Sequence, residues 1–403
     1  MTLTRNLELM STLGRIGVTM VRERVGSPVA VHAADVPVSA EAITPQWLTT
    51  VLCRDVDGAA VTDVHVLGGD NGTSARRAIA VTYNATGRDA GLPNRIFSKS
   101  TATFGSRMLL GITGIVRGEA AFYNNARPSV TLRSPRAYYA GYDANAFRSL
   151  VLLEDLSQRS WTFPDPRDNH VNRSDAEDMI AEMAAYHATF WDTPRFGTDL
   201  QDLEPALQWQ EKLNRTVGFA KRTLTGLERA KDDVPATLYA QRHDVYPAFM
   251  HSLALHAKSP QTLLHQDLHL GNWLRDDQGR MGLYDWQCVA RGHWALDVAY
   301  ALAGCLDVDD RRDWEEDLVR LYLDRLTDAG VATVPTFDQA WLAYRLHPLH
   351  GLIFGLFTLG GSRFEPELQP RDYTLAAIRR IAQQVADLDS ITALAEQAQP
   401  ARG

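Results

Sequence analysis

The chain has 403 residues, of which 45% are hydrophobic, and its formal net charge is −8. This length accommodates two or three packed units, and the composition is typical of a soluble globular protein. The acidic balance argues against a nucleic-acid partner, because neutralising phosphates requires clustered lysine and arginine. The three cysteines lack CxxC spacing, so they indicate neither a disulfide framework nor a zinc site and favour a reducing, cytoplasmic setting.

The N-terminal stretch predicts a helix rather than a targeting segment. Charged residues interrupt the first 25 positions, and no apolar run in the chain approaches the roughly 20 residues of a membrane span. Apolar residues recur there at helical spacing: Leu9, Met10, Leu13, Ile16 and Met20. We expect this helix to dock on the body of the protein. An interfacial or dimer helix is the alternative, so a monomer and a homodimer both stay open.

Two alternating segments predict an antiparallel hairpin. They follow TPQWLTTVL, which predicts a short helix with Thr44 as N-cap and Pro45 as its first residue. VTDVHVLGG and ARRAIAVTYN alternate apolar and polar residues, and the glycine-rich segment between them predicts a tip at residues 68–74. Glycines there would let backbone amides approach phosphate oxygens. Glycines are also common in ordinary hairpin turns, so this loop alone does not distinguish a phosphate-binding loop from a simple turn.

A lysine and a glutamate stand in the order that nucleotide phosphate binding requires. RIFSKS, residues 95–100, predicts a strand that carries Lys99, and residues 116–126 predict a helix that carries Glu119. A strand lysine alone is usually solvated. Followed by a helix glutamate, it becomes half of the pair that holds an ammonium group against nucleotide phosphates.

SLVLLEDLS, residues 149–157, predicts a buried strand that ends at a change of composition. We therefore place a domain boundary after residue 156, which divides the chain into an N-terminal helical extension (1–40), a middle part (41–156) and a C-terminal part (157–403). The carbonyl of Glu154 and the amide of Leu156 could recognise an adenine ring, since groups two positions apart on an extended chain point the same way. The alternative is a strand that merely ends.

From Ser174 onward the periodicity is helical. Ser174 and Glu177 have capping-box spacing, and His187 falls on the apolar face of that helix, where a core histidine is far more common than a ligand. Further helices are predicted at about residues 205–230 and 235–257, at HWALDVAYALAGCL from about Asp297, and at three segments closer to the C-terminus.

Three oxygen-bearing side chains are spaced around two short predicted strands: Asp267, Asn272 and Asp285. The first two should share one loop, and the third follows the second strand after a polar hairpin turn. A carboxylate that accepts a proton, beside a hard cation held by oxygen ligands, suits phosphoryl transfer.

Other chemistries lack their motifs. His265 and His269 have the spacing of a zinc pair on a helix, but Gly271 and the preceding strand argue against a helix there, and no HExxH glutamate follows. The sequence also lacks a GxSxG elbow, a GxxxxGK[ST] phosphate loop and a GxGxxG fingerprint.

HQDLHLGN and LYDWQ resemble the catalytic and metal-binding segments of the aminoglycoside-phosphotransferase and choline-kinase group of the protein-kinase-like fold. VRGEAAFYNNARP, LVLLEDLS and AAYHATFW most resemble its ecdysteroid-kinase-like (CHK kinase-like) branch. The similarity extends over about residues 40–390. It implies an α+β, two-lobed fold, with an antiparallel sheet and one helix in the small lobe and a mostly helical large lobe. Residues 41–156 would then form the nucleotide-binding lobe and residues 157–403 the catalytic and acceptor-binding lobe.

The resemblance implies a role for each matching residue, with ATP and Mg²⁺ as cofactors. Asp267 would accept the proton of a substrate hydroxyl. Asn272 and Asp285 would bind Mg²⁺, and Asp297 and His265 would support the catalytic loop. Lys99, oriented by Glu119, would bind the nucleotide phosphates, and the residues that would cover these phosphates are Gly69, Gly72, Thr73 and Ser74. Glu154 and Leu156 would recognise adenine. Two departures stand out, since GGDNGTS is not GxGxxG and DWQ replaces DFG.

We therefore expect ATP-dependent phosphorylation of a hydroxyl group on a small molecule. The acceptor stays open between a lipid-like or steroid-like alcohol or hydroxy acid and an aminoglycoside or macrolide-type antibiotic. The alternatives are a nucleotide-binding pseudokinase without turnover and a protein kinase, against which the lack of an APE-like activation segment counts. HPLHG, residues 347–351, lines the acceptor pocket or forms a buried helix break.

Overall fold

The alternating N-terminal segments and the helical remainder separate into two units in the structure, a computed structural model that describes residues 2–26, 28–168, 170–362 and 369–397. The N-terminal unit comprises Met1–Pro128 and Pro135–Arg159, and the C-terminal unit comprises Ser129–Ser134 and Ser160–Gly403. Across the described ranges, no helix combines the length and the apolar character that crossing a membrane requires.

The N-terminal unit is built on a five-stranded antiparallel sheet with the strand order β1-β2-β3-β5-β4. Successive side chains of a strand point to opposite faces of the sheet, so every second side chain faces the core. Ile79, Ile96 and Leu152 are fully buried there, together with Trp47. The strands are β1 (Val61–Asn71), β2 (Ala75–Tyr83), β3 (Arg95–Ser100), β4 (Ala137–Asp143) and β5 (Arg148–Glu154).

Five α-helices belong to this unit: α1 (Thr2–Gly26), α2 (Pro45–Leu52), α3 (Ala85–Asp89), α4 (Phe104–Ser106) and α5 (Ile115–Ala121). The predicted cap of α2 is confirmed, because the Thr44 hydroxyl accepts from the Trp47 amide at 3.2 Å. Helix α1 is tied to the unit by Glu23, which forms ion pairs with Arg107 at 2.6 Å and Arg148 at 3.0 Å. The predicted helix over residues 116–126 continues from α5 into a π-helical turn, Phe122–Ala126.

The hairpin tip between β1 and β2 is shorter than the predicted 68–74. Strand β1 continues to Asn71 because an irregularity in the pairing between Val66 and Gly68 accommodates the two glycines, both with positive φ. A Cβ on Gly69 would lie 1.8 Å from the carbonyl oxygen of Arg76 on β2, so the close approach of the strands requires glycine there.

The C-terminal unit is mostly helical and contains two short two-stranded ladders, which pair β6 with β9 and β7 with β8. Its strands are β6 (Thr262–Leu264), β7 (Trp273–Arg275), β8 (Met281–Leu283) and β9 (Ala290–Gly292). Its helices are α6 (Arg173–Thr189), α7 (Ala206–Val217), α8 (Phe219–Arg229), α9 (Ala236–Ala240), α10 (Val245–Leu255), α11 (Ala295–Cys305), α12 (Val308–Asp328), α13 (Phe337–Leu346), α14 (Leu349–Leu359), α15 (Arg371–Asp387) and α16 (Ser390–Gln397).

Helix boundaries correct several predictions. The capping box predicted at Ser174 and Glu177 is wrong: Asn172 is the N-cap of α6 and exchanges hydrogen bonds with Asp175. Both pairs have the same spacing, so the pattern alone could not separate them.

Four predicted helices are also broken. The one at about 205–230 breaks at Gly218 in the left-handed conformation, and the one at about 235–257 breaks between Ala240 and Val245. Pro348 interrupts the helix before α14, and Asp389, with a positive φ, separates α15 from α16.

Candidate active site

Asp267 lies on the loop that connects β6 to β7. Gln266, immediately before it, has a positive φ of 64°, so the chain turns sharply as it leaves the strand. A 3₁₀ turn, Leu270–Asn272, then leads into β7. The Asp267 carboxylate remains partly exposed, while its neighbours on this loop, residues 265–272, are largely buried; we call this segment the catalytic loop after its predicted role. The loop thus presents one carboxylate from an otherwise packed segment.

A buried carboxylate fixes the start of this loop. Asp297, in the first turn of α11, accepts hydrogen bonds from the backbone N–H of His265 at 2.8 Å and of Gln266 at 2.9 Å, and from the Tyr186 hydroxyl at 2.7 Å. Burial raises the pKa of Asp297, but hydrogen bonds from His187, Tyr186 and the backbone outweigh it, so the pKa lies below its usual value. Asp297 therefore stays ionised and holds both amides in place.

His265 connects the two strands that carry the candidate residues. Its Nε2 lies 3.0 Å from the carbonyl oxygen of Tyr284, and its Nδ1 lies 3.3 Å from the backbone nitrogen of Asp267. Only the neutral tautomer with the proton on Nε2 makes both bonds, because it donates to the carbonyl and accepts from the amide. Burial lowers the pKa of His265, and nearby Asp297 offsets this only in part, which agrees with a neutral ring.

Asn272 and Asp285 place their oxygens on neighbouring segments. The Asn272 side-chain amide donates to the carbonyl oxygen of Asp267 at 2.7 Å, and the backbone carbonyl of Asn272 accepts from Tyr284 N–H at 3.1 Å. Asp285 follows β8 with φ 61° and ψ 60°, a left-handed conformation that costs about 1–3 kcal/mol in a non-glycine residue. Because the amide nitrogen is already committed, the side-chain oxygen of Asn272 is the atom suited to a cation.

In the N-terminal unit, Lys99 and Glu119 form a buried ion pair. The Lys99 Nζ lies 2.9 Å from Oε1 of Glu119, and the two side chains are only 8% and 3% exposed. Lys99 sits on β3, where it pairs with Arg76 on one side and Val151 on the other, and Glu119 lies on α5. The lysine is therefore not the solvated strand residue that its position alone would suggest.

The other predicted nucleotide contacts lie in two turns of the same unit. Gly72, Thr73 and Ser74 form the hairpin tip after β1, and Gly69 lies in the strand before it. Glu154 is the last residue of β5, and Leu156 begins a 3₁₀ turn that Asp155 caps by accepting from Ser157 N–H at 3.0 Å. Arg95 holds this turn through a 3.0 Å ion pair with Asp155.

A model of the phosphotransferase enzyme family matches residues 116–345, more than half of the chain. The chain belongs to the phosphotransferase enzyme family. The matched span includes Glu119, Asp267, Asn272, Asp285 and Asp297, and it begins after Lys99. The predicted resemblance to the aminoglycoside-phosphotransferase and choline-kinase group is thereby confirmed. Its narrower assignment to the ecdysteroid-kinase-like branch stays a prediction.

The chain is similar to solved structures of choline kinases and of an aminoglycoside phosphotransferase. Choline kinase from Cryptosporidium parvum Iowa II is 12% identical, with a TM-score of 0.50, over 87% of this chain and 98% of that one. Choline kinase LicA from Streptococcus pneumoniae is 16% identical over 81% and 94%, with a TM-score of 0.43. A GDP complex of aminoglycoside 2′-phosphotransferase-IIIa is 12% identical over 86% and 99%, with a TM-score of 0.45. A search of curated proteins found no match. The α+β, protein-kinase-like fold class is confirmed.

The catalytic loop of this phosphotransferase has two supports that the sequence patterns did not reveal. Tyr373, on α15, bonds to His269 Nδ1 at 3.0 Å, and a Cβ on Gly271 would lie 2.0 Å from the Tyr373 hydroxyl. His350, on α14, places Nε2 2.9 Å from the carbonyl oxygen of Gln266. Both partners lie far along the chain, so local spacing carries no signal for them.

Two expectations about histidines are settled by burial. His187 is fully buried with Nδ1 2.9 Å from the Tyr322 hydroxyl and Nε2 3.4 Å from Asp297, as expected for a core histidine. His347 and His350 are also buried and flank the break at Pro348, so HPLHG forms a buried helix break. His265 and His269 lie on a strand exit and a loop, not on a helix.

Proposed function

We propose that this phosphotransferase moves the γ-phosphoryl group of ATP to a hydroxyl group of a small molecule. The observation that carries the proposal is the catalytic loop, where a partly exposed Asp267 follows two amides fixed by the buried Asp297 carboxylate. Phosphoryl transfer demands accurate positioning and little covalent work by the protein, and such a braced loop supplies positioning.

Asp267 is the proposed general base. As the acceptor oxygen bonds to phosphorus and the bond to the β–γ bridging oxygen breaks, the hydroxyl proton passes to the Asp267 carboxylate. The 2.7 Å bond from the Asn272 amide to the Asp267 carbonyl fixes the backbone of the base. His265 fixes the amide side of the same residue. The base is thus held from both sides of its peptide unit.

Asn272 and Asp285 are the proposed Mg²⁺ ligands. Both offer hard oxygen atoms, and Mg²⁺ commonly binds one or two carboxylates together with substrate phosphates and water. The hydrogen bond between Tyr284 N–H and the Asn272 carbonyl keeps the two segments adjacent. When bound, the ion would neutralise charge on the transferred phosphoryl group.

The N-terminal unit is the proposed nucleotide-binding part. Lys99, oriented by Glu119 at 2.9 Å, would contact the phosphates, and the tip formed by Gly72, Thr73 and Ser74, with Gly69, would cover them. Backbone groups of Glu154 and Leu156 would recognise adenine. The short helical turn that begins at Leu156 and the Arg95–Asp155 ion pair give this segment a fixed conformation.

Aromatic side chains favour an apolar acceptor over a polycationic antibiotic. Phe354, one turn beyond His350 on α14, lies with its ring 4.6 Å from that of His350, which itself contacts the catalytic loop. Phe354 and Phe357 are half-buried, and Phe357 stacks on Phe219 at 4.0 Å. Arg222 lies 3.8 Å from the Phe357 ring, so the charge beside this aromatic group is positive, and a polycation would be repelled from it.

The direct test measures ATP consumption with Mg²⁺ and a panel of acceptors. The panel holds lipid-like and steroid-like alcohols, hydroxy acids, aminoglycosides and macrolides. Acceptor-dependent ADP release from an apolar alcohol supports the proposal. Nucleotide binding without turnover for any acceptor would indicate a pseudokinase, and phosphate incorporation into polypeptide a protein kinase.

A further inference from the structure

Three histidines from three helix ends meet in the C-terminal unit. His256 follows α10, His293 precedes α11, and His347 lies between α13 and α14. One ring nitrogen of each lies within 4.8 Å of those of the other two, and His293 and His347 are buried while His256 is partly buried. We propose that these three imidazoles form a zinc site distinct from the proposed Mg²⁺ ligands.

The distances are close to those of a tri-histidine site. His347 Nε2 lies 3.0 Å from His256 Nδ1, and the centroids of the His256 and His293 rings are 4.2 Å apart. With Zn–N bonds of about 2.0–2.1 Å, tetrahedral geometry places ligating nitrogens roughly 3.3 Å apart. The first pair is already close to this distance, but its rings must turn so that both lone pairs point at one ion, and the His293 ring must also shift.

The protonation state also suits a metal. The hydrogen bond between His347 Nε2 and His256 Nδ1 requires a lone pair on one of the two nitrogens, so at least one of these rings is neutral. Neutral rings carry the lone pair that a metal requires. One proton lies between His347 and His256; on metal binding it moves to the far nitrogen of the donating ring. No net proton release is needed.

The ring nitrogens on the side away from the site have few partners. Nδ1 of the fully buried His347 has no hydrogen-bond partner in the described part of the chain. Nδ1 of His293 has only the 3.4 Å contact with Ala295 N–H. Zinc bound through His347 Nε2 would leave Nδ1 without a partner, so the positions of the three rings carry the proposal and not these outer nitrogens.

A small cavity adjoins two of the three histidines, His256 and His293. It has a volume of about 30 Å³ and is lined by His256, His293, Gln261, Leu253 and Leu296 among others. This volume admits one water molecule, and zinc bound by three histidines commonly keeps a water as its fourth ligand. None of the described residues lining the cavity is a carboxylate, which favours zinc over Mg²⁺ or Ca²⁺.

The site would join the segments that support the catalytic loop. His347 lies three residues before His350, which contacts the Gln266 carbonyl, and His293 lies just before the helix that carries Asp297. A zinc ion there would fix the start of α14 against the start of α11. This structural consequence for catalysis depends on the proposed function, whereas zinc binding itself does not.

Zinc binding to the 403-residue chain without an affinity tag tests the proposal. The protein is treated with EDTA, exchanged into buffer with excess Mg²⁺, and titrated with ZnCl₂ by calorimetry and thermal unfolding. We expect one zinc per chain and a Tm that rises with zinc concentration. Co²⁺ in place of zinc should give the visible spectrum of tetrahedral cobalt. Absence of stoichiometric binding, or an octahedral cobalt spectrum, would overturn the proposal without any variant.

Matched variants then locate the site. His256→Gln, at the least buried of the three positions, should weaken zinc binding at least about 100-fold, more than loss of an outer partner usually does. His243→Gln, at an exposed position, should leave zinc binding unchanged. His170→Gln tests the exposed group of His170, Asp307 and Asp310. Loss of zinc binding in His170→Gln, or wild-type affinity in His256→Gln, would refute the assignment.

Discussion

The two units bury charge in different ways. In the N-terminal unit, Lys99 and Glu119 neutralise each other across a single 2.9 Å contact between a strand and a helix. In the C-terminal unit, the Asp297 carboxylate accepts from two backbone amides and a tyrosine hydroxyl, and burial lowers the pKa of the basic side chain beside it, His187 at 3.4 Å. A pair fixes one side chain, whereas a carboxylate bound to successive amides fixes the path of a loop. The first arrangement suits a phosphate-binding lysine, and the second suits the backbone of a base.

Removing the proposed base, Asp267, should lower turnover more than any other change and leave both the Lys99–Glu119 pair and the Asp297 hydrogen bonds intact. Asp267→Asn should lower turnover by about 10²–10⁴-fold, because the acceptor hydroxyl loses its proton acceptor. Nucleotide affinity and Tm should change little. Steady-state kinetics and ATP titration measure this, with Asp277→Asn on the exposed turn after β7 as the matched control. Equal losses of turnover and ATP binding would contradict the role.

Breaking the ion pair from one side tests the N-terminal arrangement. Lys99→Met leaves Glu119 buried without its cation and should destabilise the unit by about 3–5 kcal/mol, whereas Lys99→Met with Glu119→Gln should recover most of that loss. Thermal and urea unfolding measure the coupling in a double-mutant cycle. Additive losses would mean that the two side chains do not stabilise each other. Both Lys99 variants should bind ATP weakly.

Removing the charge at Asp297 tests the C-terminal arrangement. Asp297→Asn turns an amide nitrogen toward backbone N–H groups and should cost about 2–3 kcal/mol, with a parallel fall in kcat. Tyr186→Phe, which removes one donor but leaves the amides their acceptor, should cost less. If Tyr186→Phe lowers kcat as much as Asp297→Asn does, the hydrogen bonds from the loop amides to the Asp297 carboxylate are not what supports turnover.

A smaller effect is expected from crowding the catalytic loop. Gly271→Ala places a Cβ 2.0 Å from the Tyr373 hydroxyl and should cost about 1–3 kcal/mol with reduced turnover. Adding Tyr373→Phe removes the clashing oxygen and should restore part of both. Thermal unfolding and kinetics of the single and double variants measure this. Failure of the second substitution to rescue would show that the two residues are not in contact.

The smallest expected effect is a difference between the two units in how their stability depends on pH. Burial lowers the pKa of His187, His265 and His350 in the C-terminal unit, whereas the histidines of the N-terminal unit, His32 and His65, are exposed. Below the unfolded value of about 6.5, the unfolded chain binds more protons, so stability is present at neutral pH and is lost as pH falls. Hydrogen exchange with a chelator present should show the C-terminal unit opening first between about pH 7 and 5. Equal opening of both units would contradict this.

Local sequence patterns predicted structural features that depend on residues close together in the chain. The Thr44 cap of α2, the bounds of β3 and the order of Lys99, Glu119 and Asp267 follow from spacing and alternation, and the structure does bring Lys99 and Glu119 together. The tip of the β1–β2 hairpin and the cap of α6 were placed wrongly, because glycines can be absorbed within a strand and two residue pairs had the same capping spacing.

Contacts between distant segments could not be predicted in this way. Tyr373 and His350 reach the catalytic loop from helices about 100 and 80 residues further along the chain, and the spacing of His256, His293 and His347 follows no motif. Such contacts depend on how helices pack, which a single sequence does not encode as a local period. The roles of the site residues, Mg²⁺ and ATP therefore stay predictions that rest on chemistry.

The most direct measurement of the central claim is an acceptor screen in a cell metabolite extract. The protein is incubated with the extract, ATP and Mg²⁺, and products are read by mass spectrometry. Transfer of one phosphoryl group adds about 80 daltons to a hydroxyl-bearing compound. We predict such a product with the wild-type protein and its absence with Asp267→Asn. No mass gain in any metabolite or candidate acceptor, despite ATP binding, would contradict the account.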